Sequence, residues 1–399
     1  MPPISPLTAG LVLAIFPELQ IQIHRVHRSM IRSTVKQPEL SVVVPVRNES
    51  AHIRSILAQL CDQSLHPGRY EILVVDGYSD DDTRALVLAA AVEHPHIHLL
   101  YNAGITSGSG RNIGAAHALA PHVLFVDGHC RLESRTMLET ALAAFARGEL
   151  CLSRPQPLIA EGVGVFRQAV ALARNSRLGH HTGSKIYEEG SCHCNPLSAG
   201  CGYRRDLYRE LGGVDEAFDA GEDLEFNLRV HRRGVVAYHD PDFAVSYYPR
   251  DGWRALFRQL FRYGYGRALM ARKHAGTISP PATLLAAFAL WLAILPLAGF
   301  FWRPAWQAWA GLAGVYLLVT TVHAGFLAGI RHPRLAATVA ACFPAIHLGA
   351  GFGYLSGWLG GPGWRHAPRA EVRRRVDQEH AQAKRDRAAV APAGLRPAD

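Results

Sequence analysis

The chain has 399 residues, of which 49% are hydrophobic and 19% charged, and a formal net charge of +9. Such a length exceeds one small domain, and the composition excludes disordered and fibrous proteins. Charge is unevenly placed: Asp, Glu, Lys and Arg are absent from His274 to Trp302, from Pro304 to Ile330 and from Leu335 to Trp364, runs of 29, 27 and 30 residues. A helix crosses a hydrocarbon core with about 20 apolar residues, so each run is long enough, and a wholly soluble protein is not expected.

In chain order, the apolar stretch Leu7 to Phe16 is too short to span and has neither a basic leader nor a small-residue cleavage site. Residues 1–38 therefore read as an interfacial or loosely packed lead-in rather than a signal peptide. Without export the following domain is expected in the cytoplasm, at the inner membrane, and the chain's seven cysteines are expected to remain thiols. From Glu39, β-branched and apolar runs alternate with helical spacing. Strands are expected at Ser41 to Val46, Tyr70 to Val75, His96 to Leu100 and His122 to Val126, and helices at Glu49 to Gln63, Asp81 to Val92 and Gly110 to Leu119. Continuous apolar strands separated by helices predict an α/β fold with a mostly parallel sheet covered on both faces.

Ligands of such sheets bind beyond the carboxyl ends of the strands. Those ends carry Arg47, Asn48 and Glu49, then Asp76 to Asp80, then Asp127, Gly128 and His129. The Gly/Ser-rich segment Gly104 to Gly114 leads into a helix amino terminus, where free N–H groups and Arg111 face a phosphate or remain a plain loop. Cys192, His193, Cys194 and Cys201 lack the paired spacing of a zinc ribbon and read as structural residues. Trp253 to Lys273 has arginines at Arg254, Arg258 and Arg262 among Trp253, Leu256, Phe257, Leu260 and Phe261, the pattern of a basic helix at headgroup level. Around Ala282 to Phe301, Trp306 to Ile330 and Ala336 to Leu359 follow three membrane helices. The seven basic residues against one acid over Arg250 to Lys273 place that stretch on the cytoplasmic side. Three full spans would put the tail outside, yet from Arg365 it holds nine basic and five acidic residues. Either one segment is re-entrant or the tail departs from the positive-inside rule. The positive excess lies beside the apolar runs and in the tail, so membrane lipids, not nucleic acid, are the expected partner.

Five motifs in order, SVVVPVRNE, VVDGYSDDDT, SGSGRNIGAAHA, VDGHC and GGVDEAFDAGEDLEFNLRVHRRG, resemble the family 2 glycosyltransferases with the GT-A fold over about Leu40 to Tyr263. The arrangement is most similar to membrane-bound bacterial enzymes of exopolysaccharide assembly, including succinoglycan-type glucosyltransferases. The resemblance implies a Rossmann-like GT-A domain over 39–250, a basic interfacial helix over 251–274, a membrane domain over 275–362 and a basic, flexible tail over 363–399. It implies an inverting, metal-dependent transfer from a nucleotide diphosphate sugar, a UDP-sugar, to a lipid-linked glycan acceptor. A processive polysaccharide synthase, a polyprenyl-phosphate sugar synthase and an inert membrane scaffold are the alternatives.

By the same resemblance Pro45, Arg47, Glu49, Asp76, Arg111 and Asp127 bind the nucleotide sugar, and Asp127 with His129 hold Mn2+ or Mg2+. His129 stands where the family usually has Asp, and imidazole suits Mn2+ better than Mg2+. The pair Glu222 and Asp223 corresponds to the family's ED motif, with Asp223 as the base that accepts the acceptor hydroxyl's proton. The segment Ser198 to Arg205 corresponds to a loop on the acceptor side, where Gly200 and Cys201 permit close approach. Gln259 to Tyr263 (QLFRY) approximates the QxxRW signature, which gives Gln259 and Arg262 a part in binding the acceptor or the diphosphate, with interfacial anchoring as the other reading of Arg262.

Overall fold

The computed structural model describes residues 37–179, 190–329 and 331–361. The lead-in up to residue 36 and the tail from 363 lie outside the described residues. Strands β1 (Leu40–Val46), β2 (Tyr70–Asp76), β3 (Ile97–Tyr101) and β4 (His122–Phe125) lie in the parallel order β3-β2-β1-β4. Their connections are the helices α1 (Ile53–Cys61), α2 (Thr83–Glu93) and α3 (Ser107–His117). Every residue of β2 is buried, as a strand covered on both faces requires. α1 turns Ile53, Ile56, Leu57 and Leu60 into the core, the spacing of a single helix face.

Beyond β4 the sheet becomes mixed. It continues through β8 (Gly200–Arg204), β6 (Cys151–Ser153), β9 (Ala237–His239) and β7 (Cys192–Cys194), with β8 antiparallel to both β4 and β6. The α/β expectation holds, with the parallel pattern confined largely to the first half. The segment expected as an acceptor-side loop, Ser198 to Arg205, is instead mainly the central strand β8. Its small residues allow neighbours to close in: a Cβ on Gly202 would meet Leu124 and Leu152 of the flanking strands, and one on Gly200 would meet Asn227 of the helix Glu222–Arg232 at 2.4 Å. A separate ribbon pairs β5 (Cys130–Leu132) with β10 (Val245–Tyr247). The remaining helices of this domain are α4 (Met137–Ala146), α5 (Val165–Arg174), α6 (Arg205–Glu210) and α7 (Glu222–Arg232).

Helix α8 covers Trp253–Lys273, the bounds expected from its basic amphipathic pattern. After it come α9 (Pro280–Gly299), α10 (Arg303–Ala328) and α11 (Pro333–Trp358), with mean hydropathies of 2.1, 1.6 and 1.6, each long and apolar enough to cross a membrane.

One glycine positions the first half of the site. α3 lies directly on β1 at Gly114, where a Cβ would come within 2.3 Å of the stiff Val43 side chain. Gly114→Ala is expected to cost about 1–3 kcal/mol by overpacking, measured as a lowered midpoint in thermal unfolding of the detergent-purified protein.

Candidate active site

The loops after β1, β2 and β3 meet at one edge of the sheet, and each contains a non-glycine residue with a left-handed backbone: Asn48 (φ 55°), Tyr78 (φ 55°) and Ile105 (φ 66°). Such conformations cost about 1–3 kcal/mol each and persist only where the surroundings impose them. Here the loops hold one another: Asn48 N donates to Ser79 Oγ (2.9 Å), Asp80 N to Asn48 Oδ1 (2.9 Å) and Glu49 N to Thr83 Oγ1 (2.8 Å). Asp76 is fully buried and accepts from the backbone N–H and hydroxyl of Ser79, with Arg84 Nε at 3.8 Å. Burial pushes the Asp76 carboxyl above its ordinary value, against the Ser79 bonds and the charge of Arg84. In this conformation its oxygens serve their own turn rather than an open face. Pro45 packs beneath Gly110, and the Arg47 Nε is buried with no hydrogen-bond partner.

Beside this edge opens a cleft of about 290 Å3, with Arg111, Asp127, His129, Gly200, Cys201, Glu222, Asp223, Gln259 and Arg262 all in its wall. Nine of the residues expected to act on metal, donor or acceptor thus converge. Pro45, Arg47, Glu49 and Asp76 stand outside the wall, along the adjoining strand edge.

Arg111 joins the two sides of the cleft. Its guanidinium donates to Asp127 Oδ1 at 3.2 Å and to Glu222 Oε1 at 3.1 Å. The arginine expected to meet a phosphate is therefore already engaged by two carboxylates. Asp127 Oδ2 also accepts from the Tyr247 hydroxyl at 2.7 Å. Burial alone would raise Asp127, but the charges of Arg111, His129 and Arg154 and the Tyr247 bond hold it below the usual carboxylate range. Burial pushes Glu222 the other way, reinforced by Asp223 and opposed by Arg111. Glu222 is 7% exposed and anchors Arg111, whereas its neighbour Asp223 is exposed at the amino terminus of α7, where its Oδ1 accepts from Leu224 N at 2.8 Å. Of the expected catalytic pair, Asp223 is the member that presents a carboxylate to the opening.

Asp127 and His129 are two donors facing one cleft, and among the described residues no third His, Cys, Asp or Glu joins them to make a metal-holding group. His129 Nδ1 donates to Glu49 Oε1 at 2.9 Å, which leaves Nε2 free, the arrangement by which carboxylates orient metal-binding imidazoles. Burial lowers the His129 pKa, but the bond to Glu49 and the charge of Asp127 outweigh it and leave it raised. Glu49, expected at the nucleotide sugar, is thereby the support of His129.

The rim that leads into the apolar helices is α8. Arg262 Nε donates to Asp219 Oδ2 at 2.9 Å and Nη2 to Asp219 O at 2.6 Å, so its guanidinium fixes the loop before α7 instead of pointing free into the cleft. Gln259 donates to the Tyr263 hydroxyl at 3.2 Å. A Cβ on Gly266 would meet Ala220 O at 2.2 Å, so α8 lies against the same loop.

Residues 41–212 match the profile of the family described as Glycosyl transferase family 2. The chain carries a family 2 glycosyltransferase domain. Its relatives include the succinoglycan biosynthesis protein ExoA of Rhizobium meliloti (strain 1021), 28% identical over 271 residues that cover 64% of this chain and 80% of that one. A second is the dolichyl N-acetyl-alpha-D-glucosaminyl phosphate 3-beta-D-2,3-diacetamido-2,3-dideoxy-beta-D-glucuronosyltransferase of Methanococcus voltae, 24% identical, covering 59% of this chain and 74% of that one. Among solved structures, the mannosyltransferase PcManGT from Pyrobaculum calidifontis in complex with GDP-Man and Mn2+ aligns at 20% identity and a TM-score of 0.49 over 86% of this chain and 97% of that one.

The glycosyltransferase's cleft also holds a residue that the motifs did not single out. Arg154 follows the last residue of β6, is 3% exposed and lines the cleft beside Cys201, Tyr247, Cys130 and Asp127. Its Nε and Nη1 are buried without a hydrogen-bond partner. Its charge acts on Asp127, while these two nitrogens, costly to bury unbonded, hold no hydrogen bond of their own. The sequence signal was slight: one arginine after a three-residue strand in CLSRPQ.

Proposed function

We propose that this glycosyltransferase moves one sugar from a UDP-sugar to a lipid-linked glycan acceptor at the cytoplasmic face of the inner membrane, with inversion at the anomeric carbon. The observation that carries this reading is the common cleft of Asp127, His129 and Asp223, whose rim is the helix leading into the apolar segments. The relatives named for succinoglycan biosynthesis and for transfer to a dolichyl sugar phosphate support a surface-polysaccharide role with an acceptor held in lipid.

In this mechanism the donor's diphosphate lies by Asp127 and Arg154. Asp127 and His129 would hold the divalent cation, Mn2+ or Mg2+, which neutralises the leaving group's charge when bound. Arg154 supplies the guanidinium nitrogens that hold no hydrogen bond, since Arg111 is spent on Asp127 and Glu222. Asp223 takes the proton of the attacking hydroxyl from the opposite side, and Arg111, held by Glu222, keeps the two sides in register. Loop 219–221, gripped by Arg262 and Gly266, sets where Asp223 stands.

Asp223→Asn is expected to fold and bind donor but to lose about 10²–10⁴ in turnover, measured as transfer from radiolabelled nucleotide sugars to native lipid extract; near wild-type turnover would remove Asp223 from the mechanism. Chelation with EDTA should abolish transfer in the same assay, with Mn2+ restoring it more fully than Mg2+. Arg154→Met should lower kcat/KM by about ten- to a hundredfold and weaken inhibition by UDP in parallel, whereas an unchanged UDP affinity would separate Arg154 from the diphosphate.

A further inference from the structure

Composition counts α11 as a third membrane span, but its packing does not. The carboxyl-terminal half of α11 lies backbone to backbone on α8. A Cβ on Gly349 would meet Phe257 O at 2.8 Å, one on Gly353 would meet Phe261 O at 2.0 Å, and one on Gly357 would meet Ala268 Cβ at 2.6 Å. In the other direction a Cβ on Gly264 would meet Ala350 O at 2.0 Å. The rising numbers on both sides show that the two helices run parallel. At the far end Arg272 Nη1 donates to Gly357 O at 2.9 Å.

The first half of α11 meets the catalytic domain as well. Val339, Cys342, Phe343 and Ile346 share a buried cluster with Ala169, Val170 and Ala173 of α5. Near the middle of α11, His347 Nε2 bonds to the backbone oxygen of Leu178, in the turn after α5. Contact with α5, the turn after it and α8 thus runs from Val339 to Gly357, about 27 Å of helix axis, against a hydrocarbon core about 30 Å thick.

These neighbours cannot enter hydrocarbon. Along α8 stand Arg254, Arg258, Arg262, Arg267, Arg272 and Lys273. Arg262 is paired with Asp219 in the cleft wall, and Lys273 with Asp215 and Glu225. Each charge carried to the bilayer centre would cost at least about 2.5–3.5 kcal/mol. A spanning α11 would take this row with it.

Lipid-facing surface lies elsewhere. Large exposed apolar side chains crowd α9, α10 and the short link between them, as at Leu284 (70%), Phe301 (95%), Leu318 (64%) and Phe326 (82%). Among the described residues there is none from Pro333 to Gly357. α9 meets α11 near its own start, where a Cβ on Gly351 would reach Leu285 O at 2.3 Å. α10 meets it through its second half, where Tyr316 Oη bonds to His347 Nδ1 at 2.9 Å and Ala324 and Ala328 join the α11 cluster. The tip of this helical hairpin, Phe300 to Trp302, points away from both contacts.

We propose that α11 lies along the membrane surface beside α8, in the headgroup layer under the catalytic domain, and that the chain crosses the bilayer twice, through α9 and α10. The chain then leaves α11 on the catalytic side, where nine basic residues from Arg365 onward satisfy the positive-inside rule. Topology of this kind stands whatever sugar is transferred and whichever acceptor receives it.

The test places single added cysteines in the full chain and labels them with a membrane-impermeant maleimide in sealed membrane vesicles of either orientation, as signal above the unsubstituted protein. Glu93→Cys marks the catalytic domain, Phe301→Cys and Trp302→Cys mark the hairpin tip, and Ala393→Cys marks the tail. Glu93→Cys and Ala393→Cys are expected to label from one face and the tip from the other. Labelling of Ala393→Cys from the tip's face would restore α11 as a span and overturn the proposal. Labelling of both tip positions from the face of Glu93→Cys, or from neither, would overturn the two crossings.

Discussion

A buried carboxylate ties α7, the helix that begins at Glu222 and Asp223, to α8. Glu225 on α7 has no exposed surface and is met by Arg229 from its own helix and by Lys273 and His274 from the end of α8, at 2.7–2.8 Å. Burial alone would raise its pKa, but the bonds from these three groups hold it below the ordinary carboxylate value. Removing them would leave an uncompensated charge in the interior, an arrangement that costs several kcal/mol in proteins. α7 and α8 therefore behave as one body. Through the glycine contacts that body includes α11, and through Arg262 it includes the loop that carries Asp223 to the cleft.

The cleft is consequently assembled from two kinds of support. On one side the parallel strands β1 to β4 deliver Asp127 and His129 by the register of a buried sheet. On the other, loop 219–221 delivers Glu222 and Asp223, held by a helix that belongs as much to the membrane unit as to the catalytic domain. Arg111 bridges the two with one bond to each. The match to the family profile ends at residue 212, before the loop, α7 and α8, so the half of the site that carries Asp223 lies beyond it.

Sequence pattern was most legible where one physical requirement dominated. SVVVPV and YEILVV are apolar throughout because both faces of those strands are covered, and Arg254, Arg258 and Arg262 marked α8 to its observed bounds. The strands β5 to β10 went unassigned because most have three residues, too few to show a period. Site chemistry followed the same division. Asp127, His129 and Asp223 announced themselves by motif and position, while the engagement of Arg111 by two carboxylates and of Arg262 by Asp219 depends on residues far apart in sequence. For α11 composition leaves the placement open, because a helix packed among apolar neighbours has the same composition as one surrounded by lipid. Its distinguishing mark was the spacing of Gly349, Gly353 and Gly357, which serves backbone contact with α8.

That glycine seam also bears on how the enzyme can be taken apart. The apolar boundary after Lys273 invites a cut that would yield a soluble fragment, yet the cut would lay open the peptide groups of Phe257 and Phe261 on α8 that the glycines of α11 cover. The same helix fixes the loop beneath Asp223. A shortened enzyme would thus need a replacement cover for α8, such as a designed helix with small residues at matching positions, before its active site kept its shape in water.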